Sequence, residues 1–308
     1  MTLHALAYAG QENAVRRLID DRAGHAGLEW DRYLPLWEAE GGRVREIYAS
    51  VAEFAGRANE RRGQEPWLQE CRERLRRATE AIARRRGLAV VSWEGMLIWR
   101  MATGLGTDHP TENGFSFDHA TGLPVIPGTS VKGLCRAAAP LLDWETELIE
   151  RLFGPEKVTA ESPGRRGEAI FFDASPVSWP RLEVDIANSH HPEYYGNSGT
   201  ASDADRRKKP KEPVETEDPN PVNFLTVAEG AQFLFSLLAP HEDKVRVHEL
   251  LQSALRDVGI GVKTAVGYGR FIAGDRNDPA RAPAPAASHG QPRKQHRPRV
   301  SERRRKRI

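Results

Sequence analysis

One stretch of the sequence combines glycine, hydroxyl and cationic side chains where a helix is expected to begin, at Gly128, Thr129, Ser130, Lys132 and Arg136. Gly128 permits a tight turn, and Thr129 or Ser130 can cap a helix whose first amide groups point outward. Lys132 and Arg136 share one helix face. A phosphate placed here would meet backbone donors and the positive end of the helix dipole. The spacing therefore predicts a phosphate-holding site, or else an ordinary capped helix with two solvated cations.

The order of residues in this stretch excludes a nucleotide-binding P-loop. That loop reads G-x-x-x-x-G-K-[ST], whereas Lys132 here precedes Gly133. We therefore do not expect an NTPase.

A second glycine-rich stretch spans residues 259–270, between an expected helix and the last expected strand. Glycines at this density allow backbone N–H groups to form a concave nest that binds anions. A helix-to-strand turn often uses glycine as well, so the stretch alone is weak evidence. Its candidate contacts to phosphate are Gly261, Lys263, Thr264, Gly267, Tyr268 and Arg270.

A polar stretch between residues 104 and 119 contains carboxylates and histidines, which raises the question of acid–base or metal chemistry. The pairs Asp108-His109 and Asp118-His119 match no closed zinc pattern. His190 and His191 are adjacent and would point oppositely on a strand. We expect surface or hydrogen-bonding roles for these histidines, and we expect no metal and no cofactor.

Composition is typical of a soluble globular protein, with 39% hydrophobic and 29% charged residues among 308. The sequence has no apolar run long enough for a membrane span and no secretory signal. The two cysteines lie in unrelated contexts and suggest no disulfide framework, so we expect both to be small buried residues. The compartment we expect is a reducing cytoplasm. The net charge of +2 hides a division, because residues 276–308 hold 11 Lys/Arg against 2 Asp/Glu and the rest holds 34 against 41. Any polyanion site in the body must therefore depend on local cations.

The order of elements predicts an α+β fold. Residues 1–86 have a helical pattern, and residues 87–275 follow the order β-α-β-β-α-β of a ferredoxin-like (RRM-like) domain. An outlying strand pair, 181–187 and 222–227, is inserted and flanks an aperiodic protruding thumb at about 188–221. We expect residues 276–308 to be a disordered basic tail.

The second helix of the N-terminal region carries arginines away from its apolar stripe. They are Arg72, Arg74, Arg76, Arg77, Arg84, Arg85 and Arg86. A solvated helix surface is the favoured interpretation of that face, and a contact with RNA or a partner is the alternative.

These motifs together resemble the RAMP-superfamily CRISPR proteins, and within them the sixth subunits of Cmr-type (type III-B) effector complexes. The resemblance covers roughly residues 88–273. It rests on Gly104-Leu-Gly, Glu112-Asn-Gly-Phe-Ser-Phe117, the stretch 127–136, Asp185, His190-His-Pro-Glu-Tyr-Tyr195, Pro221-Val-Asn-Phe-Leu-Thr-Val227 and the stretch 259–271. The combination is far more specific than either glycine-rich stretch.

The resemblance implies one RRM-like domain with a thumb. It implies that the subunit lies in a multisubunit ribonucleoprotein, at the 3′ end of the guide RNA, and contacts the guide–target duplex. It implies a noncatalytic antiviral-defence subunit, because target cleavage in the family is attributed to a neighbouring subunit. The implied partners are guide (CRISPR) RNA, target RNA and other RAMP subunits, with no membrane. The candidate RNA-binding residues are Gly128, Thr129, Ser130, Lys132, Arg136, Gly261, Lys263, Thr264, Gly267, Tyr268, Arg270, His190, His191 and Tyr195.

Two alternatives stay open at the level of sequence. One is a RAMP endoribonuclease that processes precursor guide RNA, with His109 or His190 as a base near a 2′-hydroxyl. The other is a protein-interaction subunit of the complex, which the acidic body favours.

Overall fold

The computed structural model describes residues 2–4, 25–33, 37–40, 43–46, 50–60, 65–109, 111–156, 164–189 and 220–274. All of these fall within Met1–Gly274, which is one compact unit. The candidates His190, His191 and Tyr195, most of the expected thumb and the expected basic tail lie outside the described residues.

Ten strands and six α-helices make up the described part of the chain. In chain order they are β1 Thr2–His4, α1 Ala26–Leu28, β2 Trp37–Glu40, β3 Arg43–Glu46, α2 Ser50–Glu60, α3 Glu65–Arg86, β4 Ala89–Leu97, α4 Gly128–Ala138, α5 Thr146–Phe153, β5 Ile170–Phe171, β6 Ser175–Pro176, β7 Leu182–Ser189, β8 Asn220–Val227, β9 Gln232–Ala239, α6 Lys244–Ser253 and β10 Phe271–Ala273. Short 3₁₀ turns follow α4, precede α6 and occupy Thr264–Val266.

The central sheet has the strand order β10-β4-β9-β5, and β6 pairs with β9 beside β5. Every pairing in it is antiparallel. With α4 after β4 and α6 after β9, the chain follows β-α-β-β-α-β, so the expected ferredoxin-like fold is confirmed. The expected strand pair is also present, as β7 and β8 in a separate antiparallel ladder.

One face of the sheet forms the main hydrophobic core with α4 and α6. Buried and less buried residues alternate along β4, as a strand requires when its two faces differ. On the buried face the Phe235 ring lies 5.3 Å from Phe271 and 5.8 Å from Trp93, between centroids. Aromatic pairs at these separations add specific geometry to the apolar burial.

The opposite face of the sheet contacts α3, whose Leu68, Thr79 and Ala83 are buried. Arg72 of this helix donates to the Val177 carbonyl oxygen at 3.1 Å and pairs with Glu94 of β4 at 3.5 Å. RRM domains use a sheet face to stack bases. Because α3 lies against that face here, RNA contacts have to be sought at the ends of the strands and in the loops.

The N-terminal region is only partly helical. Helices α2 and α3 confirm the helical pattern, but β1, β2 and β3 form an antiparallel three-stranded sheet. Trp37 and Val44 fall within residues 1–86, whose pattern predicts helix, and that prediction is wrong for them, since both lie in strands. Two short alternating runs around Gly41-Gly42 are a hairpin signal that outweighs the helical period.

Helix α2 ties the N-terminal region to the domain. The Asn59 side chain donates to the Leu182 carbonyl oxygen at 2.9 Å and accepts the Leu182 amide N–H at 2.8 Å, which caps the start of β7. Phe54 is fully buried and its ring lies 4.9 Å from that of Trp30. Six buried residues of this region belong to the same cluster as the core of the ferredoxin-like fold: Ala26, Trp30, Val51, Phe54, Ala55 and Ala58.

Three arginines on the outer face of α3 have acidic partners on the same helix. Arg74 pairs with Glu70 at 2.6 Å, and both Arg76 and Arg77 pair with Glu73 at 2.8 Å. Such exposed pairs are typical of a solvated helix and contribute little stability. In the described part of the chain, no helix is long and apolar enough to cross a membrane.

Candidate RNA-binding site

The start of α4 is capped by a carboxylate from a distant segment rather than by a hydroxyl of its own. Gly128 is the first helical residue, and its amide N–H donates to Asp173 Oδ1 at 2.6 Å. The Ser130 amide donates to the Pro127 carbonyl oxygen at 2.8 Å. The expectation that Thr129 or Ser130 caps the helix is therefore wrong. Their side chains are exposed beside the helix start, where they can meet a ligand.

Gly128 is needed for close packing. A Cβ added there would lie 2.7 Å from the Phe171 carbonyl oxygen and 2.9 Å from the Phe172 carbonyl carbon, closer than real side chains approach. The residue is also buried, where the helix start packs against β5. Its amide does not face a free phosphate position, because Asp173 occupies it.

The two cations of α4 have different surroundings. Arg136 donates from Nη1 to the Gly154 carbonyl oxygen at 2.5 Å, which satisfies a carbonyl at the C-terminal end of α5. Lys132 is half-buried, and no acidic group in the described ranges pairs with it. Lys132 is therefore the stronger candidate for a phosphate, and Arg136 has a structural task already.

The second glycine-rich stretch lies against the chain that leaves β4. Its Val262 amide donates to the Ala102 carbonyl oxygen at 2.9 Å, and its Gly269 amide donates to the Arg100 carbonyl oxygen at 2.9 Å. The Ile98 amide in turn donates to the Arg270 carbonyl oxygen at 3.0 Å. These bonds extend the β4–β10 ladder and hold the rest of the loop at the end of the sheet.

A turn at Lys263–Ala265 presents successive amides outward. Lys263 is left-handed, with φ 60° and ψ 28°, and Thr264 begins a right-handed 3₁₀ turn. A left-handed residue followed by a right-handed one aims neighbouring N–H groups at a single point, which is the geometry of an anion-binding nest. Within the described ranges, nothing accepts a hydrogen bond from the amides of Lys263, Thr264 or Ala265. We call this turn the amide nest.

The remaining residues of the loop frame the nest. Gly261 and Gly267 adopt φ values of 96° and 98° on either side of it. The Lys263 Nζ lies 5.1 Å from the centroid of the Phe224 ring, so this exposed cation extends toward β8. Arg270 is half-buried, and its Nε has no hydrogen-bond acceptor in the part of the chain that is described.

A hydrogen-bonded cluster fastens the loop to the inserted strand pair. Tyr268 donates its hydroxyl to Asp185 Oδ2, which also accepts from Arg100 Nη1 at 2.7 Å. Arg100 Nε donates to Glu183 at 3.0 Å as well. We call Arg100, Glu183, Asp185 and Tyr268 the clip. Because its hydroxyl is engaged here, Tyr268 positions the loop rather than offering that group to RNA.

The clip shifts the ionisation of its members. Burial and the hydrogen bond to Asp185 raise the pKa of Tyr268 to about 12. Burial alone would raise the pKa of Asp185. Hydrogen bonds from Tyr268, the Ile186 amide and Arg100 outweigh that effect and lower the pKa below its usual range. The carboxylate therefore stays charged and the phenol stays neutral across the physiological range.

The two predicted phosphate-binding stretches are neighbours in the fold. Helix α4 packs against the helical turn Ala254–Val258, which leads directly into the loop that bears the nest. Near these stretches, the candidates whose exposed or half-exposed side chain makes no hydrogen bond or ion pair in the described ranges are Thr129, Ser130, Lys132, Lys263, Thr264 and Arg270.

The family profile described as "RAMPs: RAMP superfamily" matches residues 97–272, which is more than half of the chain. The chain belongs to the RAMP superfamily. It is 37% identical over 132 residues to the "CRISPR system Cmr subunit Cmr6" of Pyrococcus furiosus, a match that covers 41% of this chain and 34% of that relative. A chain of the cryo-EM structure of "the Type III-B Cmr-beta bound to cognate target RNA" superposes with a TM-score of 0.55 at 24% identity, covering 74% of this chain and 71% of that chain.

One of the two histidines of the polar stretch, His109, has a structural role in this RAMP protein. His109 Nε2 donates to the Trp30 carbonyl oxygen at 3.0 Å, and Nδ1 accepts the Thr111 amide N–H at 3.3 Å. Its ring stacks on Trp30, with centroids 4.6 Å apart and planes 4° apart. Burial lowers the pKa of His109. The expected hydrogen-bonding role is confirmed for this histidine, and both nitrogens are occupied.

Asp118 is likewise engaged in its own loop. Its Oδ1 accepts from the amides of Ala120 and Thr121, at 3.2 and 2.7 Å, and from the Thr121 hydroxyl at 2.6 Å. This is an Asx-type turn that shapes the backbone. Within the described ranges, no three His, Cys, Asp or Glu side chains cluster in a way that could hold a metal ion.

Sequence reasoning overlooked Arg100 and Glu183 of the clip, and it overlooked Trp99. Glu183 and Asp185 are two residues apart on a strand and so share one face, which is a readable sign that a cation lies opposite. Trp99 carried no such sign. It is 46% exposed, which is unusual for a tryptophan, and it follows directly after β4.

Proposed function

We propose that this RAMP protein is a noncatalytic RNA-binding subunit of a type III-B CRISPR effector complex. It would hold the guide RNA backbone near its 3′ end and contact the guide–target duplex, in the cytoplasm and alongside other RAMP subunits. The observation that carries the proposal is the amide nest at Lys263–Ala265, with three amides unoccupied within the described ranges. Similarity to Cmr6 supplies the setting.

The proposed mechanism is phosphate positioning. One phosphate oxygen accepts from the nest amides, while the Lys263 ammonium neutralises its charge. A second phosphate lies near the exposed hydroxyls of Thr129 and Ser130, with Lys132 on the same helix. Contacts of this kind fix register and orientation and carry no base sequence. The guide can then vary while the protein stays the same.

The charge distribution fits local contacts rather than a broad basic surface. The body of the chain, residues 1–275, has more acidic than basic residues. The long-range field therefore does not attract RNA, and binding has to come from amides and a few unpaired cations. Such a site gives a shallow salt dependence, because only a few counterions are released.

The engaged state of His109 supports a noncatalytic role. A base that removes a 2′-hydroxyl proton needs a nitrogen within hydrogen-bond reach of that group. His109 has both nitrogens bonded within the protein and is stacked on a buried tryptophan. Incubating the purified chain with repeat RNA, with and without chelator, tests the endoribonuclease alternative. Site-specific product would overturn the noncatalytic assignment.

The phosphate contacts can be tested by the salt dependence of binding. We would titrate a labelled RNA strand with the full chain and with Lys132→Ala and Lys263→Ala, at several salt concentrations. Each lost phosphate contact should reduce the slope of log K against log salt by about 0.7 for a single strand. Lys244→Ala is the matched control, since Lys244 lies beside Leu88 and Val90 at the other end of β4. Unchanged affinity and slope in both test variants would refute the mechanism.

A protein-contact role is supported by a separate surface. Leu141 is 72% exposed and Leu142 is 43% exposed on the turn after α4, and Val245 on α6 is 65% exposed. The Arg246 guanidinium lies 5.3 Å from the Trp144 ring centroid, which brings the turn and the helix together. Exposed apolar groups of this size suit contact with another subunit. Native mass spectrometry after nuclease treatment would detect a subunit retained without RNA.

A further inference from the structure

The first half of β4 has an outer edge that no strand covers within the described ranges. Strand β10 is short and pairs only with residues 95–97 of β4. The Gly274 amide then donates to the Glu94 carbonyl oxygen at 3.2 Å, and the described part of this ladder ends there. On its other side, β4 pairs with β9 over residues 89–96. The side of β4 that faces away from β9 is therefore open before Glu94, and we call this the open edge.

The backbone groups of Val90 and Ser92 point out of the open edge. Successive residues of a central antiparallel strand bond alternately to its two neighbours. The Leu97 amide bonds toward the β9 side, to the Ala231 carbonyl oxygen at 2.9 Å, and the Ile98 amide bonds toward the β10 side at 3.0 Å. Every second residue before Ile98 therefore faces away from β9. In the part of the chain that is described, no backbone group pairs with Val90 or Ser92 on that side, and Ser92 is exposed.

A cleft of about 430 Å³ lies at the start of the same strand. It runs between the end of α3 and the turn before α6, and among the residues that line it are Ala83, Arg84, Leu88, Val90 and His241. Leu88 and Val90 are half-buried, so an apolar side chain can pack beside them. Because Val90 belongs both to the cleft and to the open edge, a strand added at the edge can place a side chain in the cleft.

The end of α3 gives this region a positive charge. Arg84, Arg85 and Arg86 are exposed in the last turn of the helix, and no acidic group in the described ranges pairs with them. Glu80, which also lines the cleft, is engaged by Arg76 of the same helix. A ligand whose charge complements this region is acidic.

We propose that the open edge of β4 binds an extended acidic segment of another protein subunit, which adds a strand to the central sheet. Strand addition at an exposed sheet edge is a recurring mode of peptide recognition, in which main-chain hydrogen bonds supply affinity. The site lies at the opposite end of β4 from the amide nest. The inference therefore goes beyond the proposed function and does not rest on it.

Two other occupants fit the open edge less well. Phosphates of an RNA backbone only accept hydrogen bonds, whereas Val90 and Ser92 present N–H donors and C=O acceptors together. An extended peptide supplies partners for both. Residues 276–308 of this chain have the wrong charge for a cationic region, with 11 Lys/Arg against 2 Asp/Glu.

The test measures binding of a short, capped, labelled peptide of alternating glutamate and valine to the purified full chain. Ser92→Pro should weaken binding by about tenfold or more, because proline removes the N–H at the open edge and its ring blocks an approaching strand. Ser92→Ala is the matched control, since it keeps that N–H, and should bind like the parent. Arg84→Glu should weaken binding by about fivefold and improve binding of the same peptide with lysine in place of glutamate.

The RNA salt titration shows whether Ser92→Pro is folded, because a folded variant should bind RNA like the parent. If it does, equal peptide binding by Ser92→Pro and Ser92→Ala overturns the inference. If Ser92→Pro loses RNA affinity as well, the charge reversal decides: an exchanged peptide preference in Arg84→Glu supports the inference, and an unchanged preference overturns it. A parent chain that binds no acidic peptide overturns it too. None of these outcomes alters the tests of Lys132 and Lys263.

Discussion

Removing the Asp185 carboxylate should loosen the loop that bears the nest. Asp185 accepts from Arg100 at 2.7 Å, from the Tyr268 hydroxyl and from the Ile186 amide at 2.8 Å. A hydrogen bond to a charged group contributes about 1.5–3 kcal/mol net. The pair is 29% and 25% exposed, and Arg100 retains Glu183 as a partner at 3.0 Å, so water and that carboxylate recover part of the loss. We therefore expect Asp185→Ala to cost about 2–3 kcal/mol.

Thermal unfolding measures this cost. For a compact unit of this size, about 1 kcal/mol corresponds to roughly 2–4 °C in Tm, so Asp185→Ala should unfold about 4–12 °C below the parent. Asp108→Ala is the control, because Asp108 is an exposed carboxylate and its removal should change stability by less than about 0.5 kcal/mol. If the two variants unfold together, the clip does not hold the loop.

The pH dependence of the same difference is fixed by the direction of the two shifts. The lowered pKa of Asp185 contributes stability above its unfolded value, about 3.9, and this is lost as pH falls through the folded pKa. The pKa of Tyr268, raised to about 12, contributes stability below pH about 10, and this is lost as pH rises through about 12. The gap between parent and Asp185→Ala should therefore be constant between about pH 5 and 9.

Three further predictions follow from the surrounding contacts. Burial lowers the pKa of His109 below its usual value of about 6.5, so the parent should lose stability as pH falls through the folded pKa. His109→Gln has no group to protonate there and should not show this loss. Urea unfolding at pH 7 and at pH 5 measures the difference. Gly269→Ala should destabilise strongly, because its φ is 68° and the new Cβ would lie 1.8 Å from a backbone oxygen, whereas Gly133→Ala in open space should stabilise by about 0.5–1 kcal/mol. Thermal scans compare the two. Asp173→Ala removes the carboxylate that accepts from the Gly128 amide and should cost about 1 kcal/mol in stability. A phosphate can then accept from that amide, so the salt titration should show a higher RNA affinity.

Much of the fold was predictable because strands and helices leave local patterns. The β-rich run before Arg100 became β4, and the apolar period after Pro240 became α6. The hairpin at Trp37–Glu46 was missed because a helical stripe drawn over a long window absorbed two short alternating runs. Sequence periodicity identifies short strands of this kind only when it is read over a window as short as the strands themselves.

The site was predicted less completely, because its decisive contacts join distant residues. The carboxylate that caps α4 comes from Asp173, 45 positions after Gly128, and no residue pattern near the helix start predicts this contact. The carbonyl that occupies Arg136 belongs to the end of another helix. The hydrogen bonds that hold the glycine-rich loop join Gly269 to Arg100 and Val262 to Ala102, which lie far apart in the sequence. The sequence predicted the nest as a glycine-rich loop. It did not predict which amides are left without an acceptor, because that depends on the backbone angles of the folded loop.

The most direct test of the central claim is a nuclease footprint of the guide RNA in the reconstituted effector complex. With the parent chain, we expect protection of the guide near its 3′ end. The double variant Lys132→Ala, Lys263→Ala should expose that region while the rest of the guide stays protected, and Lys244→Ala should leave the footprint intact. A complex that assembles with the double variant and protects the 3′ end as fully as the parent would contradict the claim that this chain holds the guide there.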